Sequence, residues 1–184
     1  MNKGDVVIET SVLEHSEKNT FYIFSGLPGA GKSTLSKSFA AYIGAAYLRI
    51  DTIEQGLRDL CSIEVEGEGY GLAYRIVSDN LLLGLSVVAD SCNPIPLTRH
   101  EWEQVATGAG VNFINIEILC SDPVEHRARV ENRLTRSSSD SLPSWEQVTQ
   151  REYAHWDRER IAIDTAGCSS EESFEKLLSA ISHH

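Results

Sequence analysis

The segment Gly26-Leu27-Pro28-Gly29-Ala30-Gly31-Lys32-Ser33-Thr34 constrains this chain more than any other. It fits the G-x-x-x-x-G-K-[S/T] phosphate loop in full. The apolar run Phe21-Tyr22-Ile23-Phe24 precedes it and a helical pattern follows, which is the context that lifts such a match above an ordinary glycine turn. Each part has a physical reason. Glycines let the backbone curl so that its N–H groups surround phosphate oxygens. A helix starting near Lys32 adds the positive end of its dipole. Lys32 supplies a point charge for the β- and γ-phosphates, and the Ser33 hydroxyl is a ligand for Mg²⁺. The motif therefore predicts that this chain binds a nucleoside triphosphate with Mg²⁺; ATP is the nucleotide in the kinase reading below.

At 184 residues the chain suits one α/β domain. No run reaches the roughly 18 apolar residues of a membrane span, and Met1-Asn2-Lys3-Gly4-Asp5 lacks the features of a secretory signal. Cys61, Cys92, Cys120 and Cys168 are scattered without a C-x-x-C, which suggests reduced thiols and a cytoplasmic setting. The net charge of −11 repels a polynucleotide backbone. A small-molecule acceptor is the expectation, with nucleic acid and membrane disfavoured; oligomeric state is not readable.

Residues 1–20 read as a polar leader with an edge strand at Val6-Val7-Ile8. From Phe21 to residue 182 apolar runs alternate with amphipathic segments, the α/β signature of a single domain. Strands are predicted at about 21–25, 46–50, 87–89, 112–119 and 161–163, and helices at about 32–43, 52–60, 70–85, 98–108, 122–136, 144–157 and 170–181. In the 70–85 helix the apolar positions are Leu72, Ile76, Leu81, Leu82 and Leu85. Ser137-Ser138-Ser139-Asp140-Ser141 is too polar to pack, and His183-His184 read as a tag remnant.

Ligand chemistry in open α/β sheets lies beyond the C-terminal strand ends. Asp90, after Val87-Val88-Ala89, is the candidate second magnesium group; capping a turn is its alternative reading. Asp51, at the end of the second strand, is the candidate for holding or deprotonating an acceptor hydroxyl. Asp51-Thr52-Ile53-Glu54 also has capping-box spacing. Asn93 is a candidate substrate contact or a turn residue, and Arg49 and Arg58 flank Asp51 for an anionic acceptor or for surface pairing. Helix 122–136 carries Arg127, Arg129, Arg133 and Arg136. Arg127, then Arg133, are preferred as cations at the transferring phosphate; pairing with Glu125 and Glu131 is the alternative. The acceptor pocket is expected between the 52–60 helix, the 64–69 loop and the 70–85 helix. His100, His126 and His155 read as surface or half-buried, and Trp102, Trp145 and Trp156 as packing anchors.

Together with Leu48-Arg49-Ile50-Asp51-Thr52-Ile53-Glu54, Val87 to Pro94, Cys120-Ser121-Asp122, Glu125-His126-Arg127, Trp145 to Trp156 and Ile161 to Gly167, the phosphate loop resembles a bacterial family of P-loop kinases. That family stands with the adenylate-kinase-like and polynucleotide-kinase/zeta-toxin-like phosphotransferases. The resemblance covers about residues 21–182. It implies a three-layer P-loop NTPase fold with a five-stranded parallel sheet in the order 2-3-1-4-5 and helices on both faces. It also implies a small lid at about 127–145, and Thr165 close to the adenine. Polynucleotide kinases keep an Asp and an Arg three residues apart after strand 2; here position 54 is Glu and the next arginine is Arg58, which weakens the case for a 5′-hydroxyl polynucleotide acceptor.

The reading that follows is a kinase passing the ATP γ-phosphate to a hydroxyl of a small molecule. Lys32, Asp51, Arg127 and Arg133 are its catalytic candidates, and Gly26 through Thr34 with Arg127 and Thr165 bind the nucleotide. Ser33 and Asp90 hold the metal, and Asp51, Arg49 and Asn93 meet substrate. A nucleotide-dependent regulatory module is the alternative, and a nucleic-acid 5′-hydroxyl kinase a weaker one.

Overall fold

The computed structural model describes residues 19–136 and 142–184. The expected leader strand at Val6-Val7-Ile8 and the serine-rich 137–141 segment lie outside the described residues. Five strands form one wholly parallel sheet: β1 (Thr20–Ser25), β2 (Ala46–Arg49), β3 (Val87–Asp90), β4 (Asn112–Leu119) and β5 (Ile161–Asp164), in the order β2-β3-β1-β4-β5. Parallel strands need crossovers, and the helices that supply them cover both faces. They are α1 (Lys32–Ile43), α2 (Ile50–Cys61), α3 (Glu68–Leu82), α4 (Pro96–Ala109), α5 (Pro123–Arg136), α6 (Trp145–Gln150) and α7 (Ser170–Ser182).

The strand period of two divides the core. Phe24, Val88, Ile116 and Ile118 pack with Leu35 and Phe39 of α1 and Leu177 of α7. Phe21, Ile23, Val87 and Ala89 pack on the other face with Val77 and Leu81 of α3 and Trp102 of α4. The central strands are buried on both sides, so their sequence is a continuous apolar run rather than an alternation.

Three elements differ from the sequence reading. The first is α3, which begins earlier and buries Ala73, Val77 and Leu81, whereas Leu72, Leu82 and Leu85 are exposed. Small residues let α3 press onto α2: a Cβ on Gly69 would sit 2.4 Å from Glu54 Cγ. The cavity described below is lined by α2 and by no residue of the 64–69 loop or of α3, so it meets the α2 side only of the expected acceptor pocket. The second is α6, which stops at Gln150 rather than 157. Beyond it Arg99 of α4, wholly buried, donates to the carbonyls of Ala154 (2.8 Å) and His155 (3.1 Å), and also to those of Asn93 and Pro94. The guanidinium stacks 4.0 Å from the Trp156 ring, and Ala154 N–H bonds to the Pro94 carbonyl. The Ala154 N–H spent on Pro94 is the donor that a continued helix would need for the Gln150 carbonyl. Third, α2 starts at Ile50 with Arg49 as N-cap. Asp51 is therefore a first-turn residue and not a cap, and the predicted Asp51–Glu54 capping box does not form.

Candidate active site

The β1–α1 turn lies at the C-terminal edge of the sheet, where β3 on one side and β4 on the other flank β1. Gly26 (φ +144), Gly29 (φ +87) and Gly31 (φ +95) take the positive-φ conformations that the curl requires. Gly26 is also pinned sterically, since a Cβ there would stand 2.2 Å from the Ile118 carbonyl oxygen. α1 has no side-chain cap and no acidic residue in its first turn. Its leading N–H groups and the positive end of its dipole are thus left for an anion.

Lys32 of α1 is buried and its Nζ contacts Asp90 Oδ1. Asp90 is 1% exposed; its other oxygen accepts from the Tyr47 hydroxyl at 2.7 Å, and Arg49 Nε lies 3.9 Å away. Burial alone would raise the Asp90 carboxyl. The Lys32 charge, with hydrogen bonds from Lys32, Tyr47 and Ser33, outweighs it and holds the group below the ordinary carboxylate range. Asp90 is therefore an anion at neutral pH, beside the Ser33 hydroxyl. These are hard oxygen donors of the kind Mg²⁺ takes when phosphate oxygens and water complete its shell. Among the described residues no three His, Cys, Asp or Glu side chains gather as metal ligands.

One cavity of about 1190 Å³ runs from this loop to α2. The phosphate loop forms one wall, and the first face of α2 (Asp51, Thr52, Gln55) another. Asp51 is 62% exposed and accepts from Arg49 Nη2 at 2.7 Å. Glu54 lies deeper; burial raises its carboxyl above the usual range, although Arg58 at 3.2 Å works against this. The remaining wall brings Arg129, Arg133, Arg151, Thr165 and Cys168 to the same space.

Most of the predicted residues meet at this cavity: Gly26, Leu27, Pro28, Gly29, Gly31, Lys32, Ser33, Thr34, Arg49, Asp51, Arg133 and Thr165 all line it. Ala30 is buried behind the loop, and Asp90 sits beneath Lys32. Two further predicted residues do not reach it. Asn93 is wholly buried at φ +50; its amide donates to Ser25 Oγ at 2.9 Å, so it braces the β3 turn and has no surface for a substrate. Arg127 is exposed and paired with Glu131 at 2.7 Å, one turn along α5. The inward face of α5 is set by His126 and Val130, both buried, which leaves Arg127 and Glu131 on one flank and Arg129 and Arg133 on the other.

The sequence reading also passed over several contributors. Arg129 donates to Thr165 Oγ1 (2.7 Å) and to the Thr165 carbonyl (2.9 Å), and pairs with Glu125. His126 Nε2 lies 2.8 Å from the Pro28 carbonyl oxygen, with its ring edge-on to Trp145. Tyr47 and Arg151 contribute from β2 and from the end of α6. A signal existed for the α5 pair: His126, Val130 and Leu134 recur at i, i+4 and i+8 and mark the packed face. No local pattern marked Arg151, which long-range bonds of Arg99 bring into position.

The sheet order, the loop after β1 and the helix that follows define a P-loop NTPase fold. Residues 22–155 match the AAA domain family, and the chain belongs to that family. No curated protein matches the sequence. Among solved structures, the chain is similar to an APS kinase of Mycobacterium tuberculosis bound to AMPPNP and APS, with a TM-score of 0.61 and 17% identity over 90% of this chain and 98% of that one. It is similar to a gluconokinase of Sinorhizobium meliloti 1021, with a TM-score of 0.64 and 16% identity over 90% and 93%. A third is Kti12 of Chaetomium thermophilum in complex with ADP-AlF3, at 0.63 and 20% over 88% and 98%. At these identities the likeness is one of fold. Among the described residues no helix is long and apolar enough to cross a membrane.

Proposed function

We propose that this protein is an ATP- and Mg²⁺-dependent phosphotransferase that moves the γ-phosphate to a hydroxyl of a small-molecule acceptor. The observation that carries this reading is the single cavity of about 1190 Å³ joining the phosphate loop to Asp51, Glu54 and Arg58. Pockets for one drug-sized ligand run to roughly 300–1,000 Å³, so this one has room for a nucleotide and an acceptor together. The structural likeness to an APS kinase and a gluconokinase supports the same chemistry. The acidic surface, at net charge −11, favours a small acceptor over a polynucleotide.

In this mechanism the loop amides and the start of α1 grip the β-phosphate. Lys32 trades its contact with Asp90 for the phosphate oxygens when nucleotide enters. Ser33 and Asp90 are the residues that would hold Mg²⁺, which when bound neutralises charge on the β- and γ-phosphates. Asp51, accessible and braced by Arg49, orients the acceptor hydroxyl and takes its proton as the phosphoryl group arrives. Arg133 and Arg129 supply cations at the transferring group, the role first assigned to Arg127.

The test is incubation of the full chain with ATP, Mg²⁺ and pooled hydroxylated metabolites, read by mass spectrometry for a phosphate-sized gain. Lys32→Ala should abolish the gain. Asp51→Asn should bind ATP as the parent does and transfer at a rate at least about a hundredfold lower. Normal turnover by Asp51→Asn would remove that residue from the mechanism, and ATP binding without transfer to any pool would overturn the kinase reading.

A further inference from the structure

We propose that His126 is a positioning residue of the phosphate loop: its imidazole N–H holds the Pro28 carbonyl outward, and this turns the Gly29 N–H toward the triphosphate. The proposal rests on the nucleotide-binding reading above and concerns a residue to which that reading gives no role.

A trans peptide unit holds its C=O and N–H antiparallel. Whatever pulls a loop carbonyl outward therefore aims the next residue's amide inward. Two such pulls act here. His126 Nε2 meets the Pro28 carbonyl at 2.8 Å, which requires Nε2 to carry the proton because a carbonyl only accepts. The Thr165 hydroxyl lies 2.9 Å from the Ala30 carbonyl oxygen and 3.1 Å from that of Leu119, and its one proton serves both. The amides turned by these two contacts are those of Gly29 and Gly31, and neither has an internal acceptor among the described residues. The clamps are joined: Arg129, one turn from His126 on α5, holds both Thr165 oxygens.

The imidazole is itself held. It is 7% exposed and lies edge-on to the Trp145 ring, with centroids 5.2 Å apart. A Cβ on Gly29 would stand 3.2 Å from the ring, so the loop passes over His126 without room for a side chain between them. A packing residue would need only the ring's bulk. The 2.8 Å contact gives the ring a direction as well.

Three variants of the full chain separate these roles. Gln at position 126 can bring an amide N–H to about where Nε2 stands; Asn stops one bond short; Leu keeps bulk without a donor. ATP–Mg²⁺ affinity by calorimetry, adenosine affinity, and ligand-free melting are measured for each. The expectation is that His126→Leu and His126→Asn weaken ATP binding about tenfold, as for a lost directing hydrogen bond, that His126→Gln stays within about threefold of the parent, and that adenosine affinity does not change. Parental ATP affinity in the Leu variant overturns the proposal, as does a Gln variant no better than Asn. If the Leu variant fails to fold, the Gln and Asn pair decides. A parent that binds ATP but transfers no phosphate overturns the kinase reading and leaves this claim standing; a parent that does not bind ATP overturns both.

Discussion

Replacing Asp90 by Asn probes the electrostatic centre of the site without depending on any assay of function. The aspartate side chain is wholly buried and offers two acceptors, one to Lys32 Nζ and one to the Tyr47 hydroxyl. Asn has a single acceptor oxygen, so one of those donors loses its partner and the Lys32 charge loses its counter-ion. Breaking a buried pair from one side costs about 3–5 kcal/mol. Lys32 fronts the cavity and can turn toward water, so the lower figure of about 3 kcal/mol applies. For a chain of this length that is a drop in Tm of roughly 6–12 °C, read by circular dichroism at neutral pH. The pH dependence has a definite sign. The folded Asp90 carboxyl is held below its ordinary value, so the unfolded chain binds the proton more readily. The stabilisation is fully present above the unfolded pKa of about 3.9 and is lost as pH falls through the folded value. The gap between parent and variant should therefore be constant above about pH 5 and narrow on acidification below the unfolded pKa. A drop of less than about 2 °C at neutral pH would mean that the buried pair carries no such energy. So would a gap that widens with acid.

Arg127→Ala should leave both melting temperature and ATP affinity at parental values, because the residue is exposed and paired along its own helix. Arg129→Ala removes two hydrogen bonds to Thr165 and should cost about 1–2 kcal/mol in urea unfolding, with ATP binding weakened as well. Gly26→Ala drives a Cβ to 2.2 Å from the Ile118 carbonyl oxygen at a φ of +144; at least about 2 kcal/mol of destabilisation should appear in the denaturation midpoint. Arg99→Met removes four hydrogen bonds to carbonyls, of which only that of Pro94 keeps another donor, and should lower stability by about 3 kcal/mol.

The strands were legible because central parallel strands are covered on both faces. Phe21 to Phe24 and Val87 to Ala89 had to be unbroken apolar runs, and no other period fits them. Helix limits were less legible where tertiary contacts decide them. Nothing near residue 150 ends a helix by local chemistry; α6 stops there because the chain beyond it docks on Pro94 and Arg99, some fifty residues earlier, and the Ala154 N–H goes to the Pro94 carbonyl instead of that of Gln150. The α3 face was misread for a related reason. Leucine content pointed to Leu72, Leu82 and Leu85 alongside Ile76 and the correctly placed Leu81, but contact with α2 selects the side where Gly69 and Ala73 are small enough for close approach.

The same division runs through the site. Its phosphate end was legible since a glycine cradle and its lysine are contiguous, and chain order alone brings them together after β1. Asp90 was legible one step further out, because β3 pairs with β1 in register from Phe21↔Val87 to Phe24↔Asp90. Choosing among the α5 arginines required knowing which face of the helix is packed, and that face is defined by His126, a polar residue that a hydrophobic count passes over. Asn93 misled in the opposite sense: its amide next to a turn proline resembles a substrate contact, yet positive φ and the bond to Ser25 make it part of the frame. Where function depends on one segment of chain, sequence suffices. Where it depends on which side chains converge from separate elements on Pro28 or on Asp51, the packing decides, and the α2 end of this cavity is of that second kind.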